Sequence, residues 1–320
     1  MSAPNSLRSH LESLPDPVLA AAVLAIAAGC GAIAEQLHHQ YDDAGGGEVL
    51  GNNDAGDAQK QLDVLADEMI LAAIRDSPIA HYASEEQAGV VELRAGTAGL
   101  ALAVDPLDGS SNIAVNGIIG TIFSLRPSRS DLFAAGTHQL AAGFAVYGPR
   151  CRLVLTLGNG VVMAGYDYER REFVILDSAV EIPPLVREYS VNSSNYQHWQ
   201  PPMRQLFDEW QMGSDGAFGK NYNMRWNGSL VADAYRILCR GGVFVYAGDQ
   251  RRGYEAGRLR LLYEAHPMAM VIEQAGGVAT NGRSRILDLA AGDLHDRTPL
   301  FFGDAPQMAE LAEVMSMEAQ

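Results

Sequence analysis

Residues 105–112 of the chain read D-P-L-D-G-S-S-N. Asp105 and Asp108 stand three positions apart with Pro106 between them, and Gly109, Ser110 and Ser111 follow. Pro106 has no N–H and a fixed φ, so strand pairing is expected to stop there. Gly109 lacks a Cβ, and with the two serines it can turn backbone N–H groups toward an anion. Hard oxygen ligands beside such a cradle make a place for a divalent cation and a phosphate together. A bare D-x-x-D-G reads more simply as a strand-to-helix turn capped by Asp and Ser. The full octapeptide favours cation and phosphate.

Several further acids could join that site. Ala101 to Val104 is apolar and reads as the buried strand end that leads into the octapeptide. From Ala58 the pattern turns helical, with Leu62, Leu65, Met69 and Ala73 on one face. Asp63 lies in the first turn of that helix, where an acid alone is usually a dipole-compensating residue. Glu85 and Glu86 follow a strand-like H-Y-A; they are a surface pair, or one of them is forced inward. Residues 257–264, G-R-L-R-L-L-Y-E, alternate so that Arg258 and Arg260 share one face. Glu264 ends that strand, and His266-Pro267 opens a helix that closes before Gly276-Gly277. Two acidic strand-to-helix corners in one chain predict a shared site at the carboxyl ends of strands. Without Glu264, Arg258 and Arg260 would read as a charged edge strand.

The rest of the chain must position these groups. At 320 residues and 48% hydrophobic it is a globular chain with room for one large or two ordinary domains. Its 23 basic and 39 acidic residues give −16, which argues against a nucleic-acid or anionic-membrane partner. An anionic substrate is still compatible if clustered carboxylates hold cations that receive the phosphate. Lys60 and Lys220 are the only lysines, so a direct phosphate clamp must be mostly arginine. Cys30, Cys151 and Cys239 are far apart, with no C-x-x-C, which fits a reducing cytoplasm and no zinc site.

Residues 18–34 are uncharged but dominated by Ala and Gly, and shorter than the ~20 apolar residues of a span. They are expected to form a packed helix reaching about His39, after a frayed polar segment over 1–16. Residues 41–57 carry five glycines and form a loop, either a plain linker or a lid delivering Asp57. Strands are expected over 116–125, 144–157 and 161–176, the last with a hairpin turn at 167–171. Cys151 should lie in the core. Ile182-Pro183-Pro184-Leu185 marks the domain boundary, giving 1–184 and 185–320. In the second half Gly228-Ser229 opens a helix that Gly241-Gly242 ends, residues 243–246 are a strand, and 298–320 read as strand then amphipathic helix.

These residues carry a family resemblance. K-Q-L-D-V at 60–64, S-E-E at 84–86, the octapeptide, I-G-T-I-F at 119–123, G-S-L-V-A-D at 228–233 and L-R-L-L-Y-E-A-H-P-M-A at 259–269 occur in order. Over about residues 56–303 the chain resembles the class I fructose-1,6-bisphosphatases of the lithium-sensitive sugar-phosphatase superfamily. The octapeptide alone would leave inositol monophosphatases nearly as close, although those usually carry D-G-T-x-N.

The resemblance implies an α/β fold of alternating layers, α-β-α-β-α, in two subdomains. It implies Mg²⁺ or Mn²⁺, about two or three per site, held by Glu85, Asp105, Asp108, Glu264 and the Leu107 carbonyl. Asp63 and Glu86 would position and deprotonate the attacking water, and Asp57 would complete the site from a mobile loop. Asp108, Gly109, Ser110 and Ser111 would hold the 1-phosphate. Asn192, Tyr246 and Arg258 match positions that contact the sugar and the 6-phosphate. Arg225 matches an arginine inserted from a neighbouring subunit, so a homotetramer is expected. The implied reaction is hydrolysis of fructose 1,6-bisphosphate to fructose 6-phosphate, in gluconeogenesis or a reductive pentose cycle.

Some positions depart from the family pattern. Arg258 stands where Lys is usual, Trp226 where Tyr is common, and another common Tyr aligns with Asn195 or Tyr196. Sedoheptulose 1,7-bisphosphate is therefore a second candidate substrate. Leu14 to Asp16 and Gly99-Leu100 match the family's nucleotide pocket poorly, and the cysteine-bearing insertion of plastid enzymes is absent. Two other readings are an inositol-phosphate or nucleotide 3′-phosphatase, and an inactive regulatory homologue.

Overall fold

A computed structural model of the chain describes residues 6–39, 49–52, 58–94 and 99–316. Its first half contains α1 (Leu7–Glu12), α2 (Pro17–His39), β1 (Val49–Asn52), β2 (Ala58–Lys60), α3 (Gln61–Ile74), β3 (Ile79–Ser84) and β4 (Val91–Glu92). There follow β5 (Leu100–Asp108), β6 (Ile119–Arg126), β7 (Ala141–Tyr147), β8 (Cys151–Thr156), β9 (Val161–Asp167) and β10 (Glu172–Asp177). The second half holds β11 (Glu188–Val191), α4 (Pro201–Met212), β12 (Asn223–Met224), α5 (Leu230–Arg240), β13 (Val243–Tyr246), β14 (Leu259–Arg260) and α6 (His266–Gln274). It ends with β15 (Gly277–Thr280), β16 (Arg297–Thr298), β17 (Leu300–Asp304) and α7 (Ala305–Ser316).

Two sheets carry this chain. The first has eight strands in the order β10-β9-β8-β7-β6-β5-β3-β4, the second five in the order β12-β11-β13-β17-β15. Period-two burial tells how they stack. On β7 and β8, Ala145, Tyr147, Leu153 and Leu155 face a core shared with α2 and α3. Their neighbours Phe144, Val146 and Val154 face the opposite way, into a core shared with α5 and α6. Across that second core come Phe244 and Phe302 of the smaller sheet, whose own outer face, Val243, Val245 and Phe301, is covered by α4 and α7. Helices, sheet, helices, sheet, helices: this is the α-β-α-β-α layering the motifs implied.

α2 is long and apolar enough to cross a membrane by composition alone, yet 61% of its apolar window is buried inside the fold. Val23, Ile26, Cys30 and Ile33 pack into the first core, so the helix behaves as a core element.

Several local expectations are corrected. Residues 6–12 are not frayed: they form α1, with Leu7 and Leu11 buried and Ser6 capping the Ser9 N–H. The glycine-rich stretch includes β1, paired antiparallel with β2, so the helix starts at Gln61 rather than Ala58. Pro106 does not end β5. The strand runs to Asp108 through a register shift, Asp105 opposite Ile122 and Asp108 opposite Gly120, which puts one extra residue on the β5 side. A bulge is where a sheet tolerates proline. Glu264 does not end a strand either, because β14 stops at Arg260 and a π-helical turn, Leu261–Ala265, leads into α6. Pro267 lacks the donor a regular helix would need there, and His266 N–H reaches back five residues to the Leu261 carbonyl. Such turns recur at functional sites.

Candidate active site

The bulge in β5 aims both of its acids into one buried space. Asp105 is 5% exposed and Asp108 7%, although among the described residues neither has a cationic side chain as partner. The Leu107 N–H donates to Asp105 Oδ1 at 3.0 Å. Asp108 Oδ2 accepts from Ser229 Oγ at 2.8 Å and from the Val231 N–H at 2.9 Å, at the positive end of α5. Gly109 has φ +78°, and a Cβ there would fall 2.7 Å from the Ser229 Cβ. Only glycine allows the cradle to approach α5 this closely.

The π-helical turn brings in the third acid. Glu264 is 6% exposed and its Oε2 accepts from the Arg260 N–H at 2.6 Å. Oxygen atoms of Asp105, Asp108 and Glu264 lie within 4.8 Å of one another. Glu85 joins from the end of β3: its Oε1 lies 3.0 Å from Arg260 Nη1. Arg260 therefore holds two carboxylates, one by its backbone and one by its guanidinium. That double role was not visible in the sequence, where Arg260 appeared only as a partner of Arg258 on one face.

Electrostatics show how tightly these groups are gathered. Burial pushes the Asp105 carboxyl well above its usual range, and Glu85, Asp108, Glu264 and Glu86 each add repulsion. Glu264 is raised well above its usual range by burial and by Glu85, against the pull of Arg260. Asp108 is raised by burial, opposed by the hydrogen bonds from α5. Carboxyls crowded this way lack positive charge, and an all-oxygen donor set suits a hard divalent ion. Asp105, Asp108 and Glu264, with Glu85 alongside, fit such an ion on both counts.

The other expected residues are placed as follows. Asp63 is 3% exposed in the first turn of α3, and α3 packs against β5. One turn later Asp67 accepts from Tyr82 Oη and Gln87 Nε2, each at 2.6 Å, which ties the Glu85-Glu86 turn to the same helix. Asp57 lies outside the described residues. Gly109 opens the short 3-10 turn Ser110–Val115, with Ser110 half-buried and Ser111 exposed. Asn112 Nδ2 donates to the carbonyls of Ile118 and Asn227, joining this turn to the segment before α5.

Tyr246, at the end of β13, is raised by burial; Arg258 opposes that rise and Glu264 adds to it. The phenol therefore lies close to Arg258 and within the field of Glu264. Trp226 stacks on Tyr246 with ring centroids 5.8 Å apart. Asn192 follows β11, its Oδ1 accepting from Ser194. Arg225 is exposed beside β12, 3.6 Å from Glu188 Oε1. Ser229, within the G-S-L-V-A-D motif, and Tyr254, within none, were given no site role by the sequence, yet one bonds Asp108 and the other lies against Arg258. Ser229 was legible only as a helix opener, because its partner Asp108 is 121 positions away.

Sequence family models described as Fructose-1-6-bisphosphatase, N-terminal domain, and Fructose-1-6-bisphosphatase, C-terminal domain, match residues 19–178 and 182–316. The chain belongs to the fructose-1,6-bisphosphatase family. It is 53% identical over 272 residues to a class 1 fructose-1,6-bisphosphatase of Nitrobacter hamburgensis, covering 84% of this chain and 79% of the relative. A class 1 fructose-1,6-bisphosphatase of Methylorubrum populi is 43% identical over 335 residues, covering 98% of this chain and 93% of the relative. Among solved structures, the holo form of Leishmania major fructose-1,6-bisphosphatase superposes with a TM-score of 0.91 at 33% identity. That match covers 98% of this chain and 99% of the other. The family's layered fold is thus present over nearly the whole chain, the carboxylate cluster lying where β5, α5 and the turn before α6 meet.

Proposed function

We propose that this chain hydrolyses the 1-phosphate of D-fructose 1,6-bisphosphate, giving fructose 6-phosphate and inorganic phosphate, with Mg²⁺ or Mn²⁺ as cofactor. The observation that carries the reading is the convergence of the buried acids Asp105, Asp108 and Glu264, with Glu85 and Glu86 adding to the repulsion and Arg260 the cation paired with Glu85. Asp105, Asp108, Glu264 and Glu85, with the Leu107 carbonyl, would hold the divalent ions. Bound there, such ions supply neutralisation of the phosphoryl dianion, acidification of water and stabilisation of the leaving alkoxide.

The chain's own groups do the rest. Ser110, Ser111 and the backbone after Gly109 orient the 1-phosphate against the cluster. Asp63 and Glu86 accept the proton of the attacking water, each from an element tied to β5. Asp57 completes the set. Arg258, Tyr246 and Asn192 recognise the sugar and its distal phosphate, and the stack of Trp226 on Tyr246 sets the width of that side. Uncatalysed phosphate-monoester hydrolysis is among the slowest reactions enzymes accelerate, by up to ~10²¹-fold. An acid–base pair worth ~10²–10⁴-fold leaves most of that to charge neutralisation.

The same reading gives a cytoplasmic homotetramer in which Arg225 serves a neighbouring subunit. It divides the chain at residue 184, where it passes from the larger sheet to the smaller. The test is phosphate release with Mg²⁺ from fructose 1,6-bisphosphate, sedoheptulose 1,7-bisphosphate, inositol 1-phosphate and a nucleoside 3′-phosphate. The fructose ester should have the highest kcat/KM. Preference for either of the last two would overturn the reading, and turnover of none would favour an inactive homologue.

A further inference from the structure

Between β13 and β14 the chain makes an excursion, residues 247–257, that no motif explained. It is anchored with care. Asp249, 5% exposed, takes the Arg251 guanidinium through both carboxylate oxygens, and Arg251 Nη2 also donates to Asn195 Oδ1 at 2.8 Å. The Gln250 N–H donates to the His198 carbonyl at 2.9 Å, and Gln250 Nε2 to that of Trp199 at 3.1 Å. Within the loop, the Asp249 and Gly257 N–H groups both donate to the Tyr254 carbonyl at 3.0 Å, and the Tyr254 N–H donates to the Arg251 carbonyl at 3.0 Å. These bonds fix the backbone on both sides of Tyr254.

The fixed object is the Tyr254 ring. Arg258 Cζ lies 4.1 Å from its centroid and Arg251 Cζ 5.0 Å, so one aromatic face system carries two guanidinium groups. Both distances fall within the range of a favourable cation–π contact. Arg251 is neutralised by Asp249. Among the described residues Arg258 has no carboxylate partner, and its buried Nε has no hydrogen-bond acceptor. A ring holds a guanidinium in place by its π face and leaves its in-plane N–H groups, apart from the contact Arg258 makes with the Tyr246 phenol, available to a planar or tetrahedral oxyanion. A carboxylate in the same position would have occupied that fork.

We propose that Tyr254 is a positioning residue for the distal phosphate of the substrate: it orients the Arg258 fork toward that phosphate while leaving the reacting phosphate untouched. The inference rests on the sugar-bisphosphate reading above. It also accounts for arginine at 258, since a lysine ammonium has no plane for a ring to orient. The anchored loop thus selects for a second phosphate on the sugar.

The experiment compares fructose 1,6-bisphosphate with fructose 1-phosphate, which lacks the distal group, on the full-length enzyme with Mg²⁺. Tyr254→Ala should raise KM for the bisphosphate by about 3- to 30-fold, with kcat within about twofold, and leave kcat/KM for the monophosphate as in the parent. Tyr254→Phe, which keeps the ring, should restore the parent KM, and Tyr254→Leu, which keeps bulk without a π face, should not. In an Arg258→Ala background Tyr254→Ala should add nothing. Equal losses on both substrates, rescue by leucine as full as by phenylalanine, or additive losses in the double variant would each overturn the proposal. If the parent enzyme leaves fructose 1,6-bisphosphate intact, the substrate reading itself is wrong and this inference falls with it. If the parent turns it over and Tyr254→Ala has the parent's KM, only the positioning role is refuted.

Discussion

Replacing Glu264 by glutamine should stabilise the metal-free protein while removing its response to metal. Two carboxylate charges within 4.8 Å of one another repel by roughly 3.5 kcal/mol at an effective dielectric of about 20. The metal-free protein escapes part of this by protonation, as the raised Asp105, Asp108 and Glu264 carboxyls indicate. The strain left at a given pH is then limited to about 1.4 kcal/mol per pH unit above the ordinary carboxyl pKa, and it levels off once the raised folded-state value is passed. Carboxyls with raised folded pKa values bind more protons folded than unfolded. Their stabilising contribution is present below the ordinary carboxyl range and is lost as pH rises through the raised values. Glu264→Gln removes one of these groups, and its amide oxygen can still accept the Arg260 N–H. In EDTA the variant's advantage should be small near pH 5 and grow to about 1–3 kcal/mol by pH 8, read as an upward shift of Tm by differential scanning calorimetry. Adding Mg²⁺ should raise Tm of the parent far more than that of the variant. A variant less stable than the parent in EDTA at pH 8, or an equal Mg²⁺ response in both, would refute the reasoning.

Three other outcomes follow from named contacts. Asp63→Asn should lower kcat by about 10²–10⁴-fold with little change in Tm; near-normal turnover would remove Asp63 from its proposed role. Ser229→Ala deletes the 2.8 Å donor to Asp108 and should raise half-saturating Mg²⁺ by roughly 10- to 150-fold, the equivalent of a hydrogen bond to a charged group, in activity titrations. Gly109→Ala meets both a positive φ and the Ser229 Cβ at 2.7 Å. It should cost at least about 1–2 kcal/mol locally and depress kcat/KM more than Tm, whereas parent-like kinetics would show that the cradle does not need this close approach.

Much of the site could be read from the residues, because its acids lie in runs with their own local logic. The octapeptide announced itself by Asp105, Pro106, Asp108 and Gly109 in sequence, and Glu264 by its place before a Pro-started helix. Most strands of the larger sheet were legible from apolar runs, and the turn at 167–171 lies between β9 and β10, but the run 144–157 is divided at 148–150 between β7 and β8, and the two-residue β4 gave no signal. What escaped was non-local. Arg260 meets Glu264 across a π-helical turn and Glu85 from the end of β3, and one-dimensional alternation registers neither a change of helical pitch nor a neighbouring strand. Ser229 meets Asp108 across 121 positions of chain. α1 escaped because Leu7 and Leu11 are too few for a periodic signal, although both are buried. The continuation of β5 past Pro106 depended on a bulge that its partner β6 accommodates.

Anomalous diffraction from crystals of the protein soaked in Mn²⁺ tests most directly whether acids remote in sequence gather to bind cations. Peaks should appear within coordinating distance of Asp105, Asp108 and Glu264 and disappear in Asp105→Asn. Manganese bound elsewhere, or no peak at these carboxylates under conditions that support turnover, would contradict it.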